Sequence, residues 1–203
     1  MPFTAAGRNA LGTSGKAGLT HLGALTDMGV TEVTGGAYAR QAVTWGAMSA
    51  GAATNSGALA VPIPAGVTPQ AIGIYDALTV GNLLGWFPIG STGQYQDGVA
   101  TVDNTTDIFL SKAHGLTTDD RVYFSAVAGE AVPTGLSLTT LYFVLAAGLT
   151  TDAFQVSTTS GGAALNMTTN GECAFWKTVP NLFASAGNLT YAIGALTLDL
   201  TFT

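Results

Sequence analysis

Charge is the scarcest commodity in this chain. Lys, Arg, Asp and Glu together make up only 9% of its 203 residues, while apolar residues make up 47%. So few ionised groups cannot cover a monomer's exterior in the usual way, which implies that part of the surface is buried against other subunits. The alternative is that Thr, Ser, Asn and Gly supply the polar cover, as in many β-proteins. Six basic residues stand against twelve acidic ones, and no basic run occurs. The electrostatic footprint of a nucleic-acid binder is therefore missing, and no nucleic-acid partner is expected.

Cysteine is nearly absent. Cys173 stands alone, which excludes an internal disulfide and a multi-thiolate metal site and is compatible with assembly in a reducing cytoplasm. It reads as a small buried hydrophobe. Long apolar runs are also missing: no stretch approaches the ~18 to 20 residues needed to span a bilayer, and Met1-Pro2-Phe3-Thr4-Ala5-Ala6-Gly7-Arg8 lacks the apolar region of a secretory signal. A soluble protein without membrane insertion or a legible export address is expected. Three Asn-x-Thr triplets, at Asn104, Asn166 and Asn188, are what chance produces in a Thr-rich chain.

Catalytic constellations are missing too. Only His21 and His114 could serve as a base for a nucleophile, and there is neither a Gly-x-Ser-x-Gly elbow nor a His-Glu-x-x-His helix. His114 sits in a turn ahead of a strand and reads as structural. Asp97, Asp103, Asp107, Asp119 and Asp120 supply hard oxygen ligands in one region, but their spacing fits no EF-hand loop, and they read as turn carboxylates. Nothing fixes two carboxyls at the separation glycoside cleavage needs. The expectation is a non-enzyme with no cofactor, no metal ligands and no assignable catalytic or binding residue.

What is present is turn-punctuated β-sequence. Thr4 to Leu11 is the one helical candidate, limited by Gly7 and Gly12. After Gly35-Gly36, residues Tyr38 to Trp45 divide into Ala39, Gln41, Val43 and Trp45 on one face and Tyr38, Arg40, Ala42 and Thr44 on the other. This assigns Trp45 to the core. Val61-Pro62-Ile63-Pro64 belongs at an edge, because proline donates no ladder hydrogen bond. Strands follow at Ala71–Tyr75 and Leu83–Phe87. Near the C-terminus Leu196, Leu198, Leu200 and Phe202 alternate with Thr197, Asp199 and Thr201. Leu189, Tyr191 and Ile193 alternate just before them, so a terminal hairpin reversing at Gly194-Ala195 is predicted.

Between about Tyr95 and Pro180 the Ala/Gly texture gives way to strands at Ile108–Leu110, Arg121–Phe124, Leu141–Leu145 and Phe154–Ser157, separated by turns at His114-Gly115, Pro133-Thr134-Gly135 and Ser160-Gly161-Gly162. The fold class is all-β: a small antiparallel β-sandwich or jelly-roll-like base domain (1–95 and 181–203), an inserted second small β-domain (96–180), and little helix. Insertion at an exposed loop costs little, because loop-closure entropy grows slowly with length. Trp45, Trp86 and Trp176, with Tyr38, Tyr75 and Tyr95, could form a sugar platform, although such residues more often anchor cores and interfaces.

The run Glu32-Val33-Thr34-Gly35-Gly36-Ala37-Tyr38-Ala39-Arg40-Gln41-Ala42-Val43-Thr44-Trp45 resembles a family of tailed-bacteriophage tail fibre or minor tail proteins. A looser likeness continues through Asn55-Ser56-Gly57-Ala58-Leu59, Ile72–Asp76 and Gly81–Trp86, and returns at Tyr191–Leu196. The segment Leu19–Asp27 is shorter than its counterpart in that family. Lys112–Phe124, Leu141–Val144 and Phe154–Gly162 resemble a different phage β-module found in tail, fibre and capsid-surface proteins. These resemblances imply an accessory structural protein on the exterior of the virion, assembled in the host cytoplasm. The implied partners are other virion proteins, either tail or major capsid protein, with homo-oligomer formation and a host surface glycan as further candidates. Three roles stay open: a minor tail or fibre protein, a capsid decoration protein, and a carbohydrate-binding module.

Overall fold

In the computed structural model, residues 4–29, 31–90, 97–180 and 182–199 are described. The chain divides into two compact units, Met1–Phe87 with Asn181–Thr203, and Pro88–Pro180. The fold is all-β and antiparallel apart from a single described helix.

That helix, α1 (Ala5–Lys16), starts on Thr4, whose extended backbone and Oγ1 accepting the Gly7 N–H at 3.1 Å make an N-cap. It runs a full turn beyond the expected Leu11. Gly12 does not end it, being the residue at which the helix is buried. The Lys16 ammonium donates to the Gly46 carbonyl, and Asn9 Oδ1 accepts the Gly51 N–H at 2.8 Å, so tertiary anchors offset the glycines' low propensity.

In the first unit, β1 (His21–Leu25), β2 (Gln41–Ala42), β5 (Ala71–Tyr75) and β6 (Leu83–Pro88) form a sheet in the order β2-β1-β5-β6. β1 pairs along its length with β5, from His21 opposite Tyr75 to Leu25 opposite Ala71. Leu22, Ala24, Leu25, Ala71 and Ile72 are all excluded from solvent. The strand expected from Tyr38 to Trp45 shrinks to the two residues of β2. Tyr38 and Arg40 turn instead toward Glu32, while Trp45 makes a bridge to Asn55. Val43 is buried, and Trp45 is half-buried with its indole N–H donating to the Leu19 carbonyl at 2.7 Å.

The C-terminal segment corrects a second expectation. β14 (Gly187–Tyr191) and β15 (Thr197–Asp199) do not pair with each other. β14 lies against β4 (Leu59–Ile63), with Leu189 opposite Val61, and β15 lies against β3 (Ala52–Thr54), with Leu198 opposite Ala53. Residues 187–199 thus run antiparallel along 52–63 as one interrupted ribbon. The reversal at Gly194 (φ +78) is real, but the buried Asn55 inserts at it and takes its backbone groups. The Gly194 N–H donates to the Asn55 carbonyl at 3.0 Å, and Asn55 Nδ2 donates to the carbonyls of Gly57 (2.8 Å) and Ala192 (2.9 Å). Pro62 sits opposite Asn188 in this ribbon, at an edge, where its missing donor is tolerated. Leu200 and Phe202 lie outside the described residues.

The second unit is a seven-stranded antiparallel sheet of β7 (Gly98–Asp103), β8 (Ile108–Leu110), β9 (Arg121–Ala126), β10 (Tyr142–Val144), β11 (Ala153–Phe154), β12 (Val156–Ser157) and β13 (Gly171–Thr178). Their order is β11-β8-β7-β13-β9-β10-β12. The two outer strands are consecutive in the chain with only Gln155 between them, so the sheet curls into a nearly closed barrel. Closure of this kind removes most of the exposed edge. Inside, Phe109 stacks between Phe124 (4.9 Å) and Phe154 (5.2 Å), and Phe175 meets Phe154 edge-on at 5.3 Å. Two of these strands, β7 and the central β13, were not anticipated from the sequence.

Candidate functional site

The side chains that carry the phage-like motif converge in one place. Gly35 and Gly36, with φ of +86° and +56°, reverse the chain between Glu32 and Tyr38, and the Tyr38 N–H donates to the Gly35 carbonyl at 3.2 Å. This reversal brings Glu32, Tyr38 and Arg40 together. Glu32 Oε1 accepts the Tyr38 hydroxyl at 2.7 Å and Arg40 Nε at 2.8 Å, and Oε2 accepts Arg40 Nη2 at 2.7 Å. The guanidinium lies 3.5 Å above the centroid of the Tyr75 ring, and Nη1 donates to the Ala77 carbonyl at 2.9 Å. Such a bidentate, aromatic-backed arrangement is one that lysine could not reproduce.

The sheet beneath is cleared for this cluster by two glycines that face each other, Gly23 on β1 and Gly73 on β5. A Cβ on Gly23 would fall 2.6 Å from the Tyr38 hydroxyl, and one on Gly73 would fall 2.8 Å from the Tyr75 ring. Burial raises the Glu32 carboxyl, but hydrogen bonds from Arg40 and Tyr38 and the guanidinium charge outweigh it, so its pKa lies below the ordinary value. Burial and the neighbouring Glu32 charge push the Tyr75 phenol up to about 12 and raise Tyr38 further. Both carboxylate oxygens and all three guanidinium nitrogens are engaged, and no nucleophile is poised here. The cluster works as a latch that holds the motif on the sheet.

The acidic residues of the second unit are dispersed in turn-building roles. Asp103 accepts from Thr105 and Thr106, Asp107 Oδ1 accepts the Met167 N–H at 2.7 Å, and Asp119 Oδ1 accepts the Ser160 hydroxyl at 2.6 Å. Asp97 Oδ2 accepts the Lys177 N–H. Asp120 Oδ2 accepts the Thr117 N–H at 2.7 Å and pairs with the Lys177 ammonium at 2.8 Å. Burial opposes ionisation of Asp120, yet Lys177 and the Thr117 N–H hold its pKa below the usual value. Among the described residues, no group of three or more His, Cys, Asp or Glu could hold a metal ion. His114 Nδ1 accepts the Leu116 N–H at 3.0 Å, which leaves the proton on Nε2, 3.3 Å from the Ala153 carbonyl, with the ring edge-on to Phe154. His21 Nδ1 lies 2.8 Å from the Thr20 hydroxyl.

Among the described residues, the aromatic side chains within each unit serve separate packing roles. Trp45 binds Leu19, the Trp86 indole lies against Gly29, and Tyr38 and Tyr75 serve the latch. In the other unit Trp176 stacks on Tyr123 at 4.7 Å. Tyr95 lies outside the described residues. A surface cleft of about 360 Å³ that sequence reading did not find is lined by Asp119, Asp120, Arg121, Phe143, Ser160 and Lys177, together with Thr178 and Val179. Arg121 sits 5.4 Å from the centroid of the Phe143 ring. The strands supplying it, β9, β10 and β13, are neighbours in the barrel, although Arg121, Phe143 and Lys177 are far apart in sequence.

An antiparallel β-protein whose motif residues form a structural latch has the character of a structural module. Residues 19–106, less than half of the chain, match the family model described as podophage GP4 fiber I protein gp80. The matched stretch includes the Glu32–Trp45 motif, both glycines beneath the latch, and β7. It supports a phage virion structural protein of the tail-fibre type. No curated protein and no solved structure matches the chain. No described helix is long and apolar enough to cross a membrane.

Proposed function

We propose that this chain is a non-enzymatic minor tail or fibre-type accessory protein on the exterior of a tailed-phage particle, contributing to assembly and host contact. The observation that carries the reading is the fibre-protein match over residues 19–106, which contains the whole Glu32, Tyr38, Arg40 and Tyr75 latch. In this reading the unit formed by Met1–Phe87 and Asn181–Thr203 is the base that docks on other virion proteins, and Pro88–Pro180 is an insert in its sequence. For host contact, the cleft beside Arg121, Phe143 and Lys177 offers the aromatic face and hydrogen-bonding groups that a sugar ring needs.

A second reading is capsid decoration, because Lys112–Phe124 resembles modules found alike in tail, fibre and capsid-surface proteins. Quantitative mass spectrometry of purified particles separates the two. A handful of copies per particle supports the tail, hundreds support the capsid lattice, and release of oligosaccharide from host envelope glycan would overturn the non-enzymatic assignment.

A further inference from the structure

Arg121 is an unpaired cation in an acid-rich chain. Twelve acidic residues stand against six basic ones, and Arg40 shows how a guanidinium is neutralised here, by both oxygens of Glu32. Arg121, by contrast, forms no ion pair among the described residues. Its one hydrogen bond to them is long, from Nη1 to the Pro180 carbonyl at 3.5 Å, so the N–H groups on Nε and Nη2 are left for another partner.

The barrel fixes where this cation stands. Thr178 and Phe143 lie opposite Arg121 on its two neighbouring strands, and the next residues inward, Val122 and Tyr142, are buried, so Arg121 and Phe143 share the outer face. The same cleft holds a second charge without a counter-charge. Lys177 and Asp120 offset each other at 2.8 Å, whereas Asp119 forms no ion pair among the described residues. The Asp119 N–H is fixed to the Val144 carbonyl at 2.9 Å and Oδ1 takes the Ser160 hydroxyl, which leaves Oδ2 as an acceptor. Phe143 and Val179, the latter 58% exposed, add apolar surface.

We propose that this cleft binds a sugar residue bearing a carboxylate, its acid group on Arg121 and its ring hydroxyls donating to Asp119, an assignment that rests on host contact being made through the cleft. A guanidinium fork matches a carboxylate with two parallel hydrogen bonds. A bare phosphate or sulfate would also satisfy Arg121, but it would face Asp119 and Asp120 with no donor to offer them. A sugar acid brings hydroxyl donors for those oxygens and a C–H face for Phe143 and Val179. A neutral sugar would cover the guanidinium without supplying a counter-charge. The net charge of −6 repels anions at long range, yet at physiological salt screening sets in beyond ~8 Å, so the contact groups decide. The volume of about 360 Å³ falls at the lower end of the ~300 to 1,000 Å³ of small-molecule sites, which suits a short piece of glycan.

The test titrates the purified full-length chain with methyl glucuronide, N-acetylneuraminic acid, methyl glucoside and inorganic phosphate, followed by NMR. At least one of the two acids should bind roughly tenfold or more tighter than methyl glucoside and phosphate, and which one binds separates a hexuronate from a nine-carbon sugar acid as the source. Arg121→Gln should weaken the acid by roughly tenfold or more and leave methyl glucoside unchanged, with the circular dichroism unaltered, and Arg121→Lys, which keeps the charge without the fork, should recover only part of the loss. Acids that bind no tighter than methyl glucoside, or a folded Arg121→Gln variant that keeps the preference for acid, would overturn the proposal and leave the cleft a site for neutral sugar. Phosphate binding as tightly as the acids would overturn it in favour of a bare anion site. Binding of no sugar at all would overturn it together with the reading of this cleft as the host contact, whereas the virion assignment stands or falls on the mass spectrometry of particles.

Discussion

Asn55 and Leu196 hold each other from both sides: the Asn55 N–H donates to the Leu196 carbonyl at 3.1 Å, and the Leu196 N–H donates to Asn55 Oδ1 at 2.9 Å. With the bonds from Nδ2 to Gly57 and Ala192, this buried amide is the joint at the interruption of the ribbon. Asn55→Ala would leave two carbonyls and one N–H without partners, so it should destabilise the first unit by about 3 kcal/mol. Asn55→Asp should be no better, because it places a carboxylate against those same carbonyls. Equilibrium denaturation of the three proteins checks both.

The latch carries a pH dependence of definite sign. Burial disfavours the Glu32 carboxylate, but Arg40 and Tyr38 hold its folded pKa below the ordinary value of 4.5. Its contribution to stability is therefore fully present above that value and is lost as pH falls through the lower folded pKa. Asp120, lowered by Lys177 and the Thr117 N–H against its own burial, acts with the same sign in the second unit. Denaturation midpoints should fall in acid, and Glu32→Gln should flatten the first unit's acid limb. Arg40→Ala, which strands a half-buried carboxylate, should cost about 2 kcal/mol at neutral pH and less in acid.

Ala50 and Gly51 form a two-residue reversal between Ser49 and Ala52, with φ of +51° and +94° and both hydrogen bonds across the turn made. Alanine is poorly suited to the first of these positions, where asparagine or glycine is favoured. Ala50→Asn should raise stability by about 0.5 kcal/mol, read as an upward shift of the thermal midpoint. A decrease would contradict the turn assignment.

Cys173 faces the barrel core, and burial, aided by the Glu172 charge, pushes its thiol up to about 12. Iodoacetamide at pH 8 should leave it untouched in the native protein and modify it once the barrel opens, with rates differing on the order of a thousandfold. Labelling in native buffer within minutes would contradict the packing. Phe109→Ala, which removes the middle ring of the stack, should cost about 4 kcal/mol and bring the thiol within reach.

What the sequence revealed depended on how each strand is buried. β5, β8 and β9 were legible from short β-rich runs between turn residues. β1 and β13 were not, because both faces are covered: Ala174 is as buried as Cys173 and Phe175, which erases the period-two signal. The terminal hairpin was misread for a different reason. The turn at Gly194 exists, but no local pattern shows that Asn55, 137 residues from Ala192, captures its backbone groups. Alternation did place Tyr38 and Arg40 on one face, yet Glu32, their common partner, lies across a glycine turn that side-chain periodicity cannot span.

The central claim is that this chain is a structural component of a phage particle. Gold-labelled antibody against the chain, applied to gradient-purified particles of the source phage and viewed by electron microscopy, tests it most directly. The account predicts label on the particle, concentrated at the tail. Particles that carry no label, while the protein remains abundant in the infected-cell lysate, would contradict it.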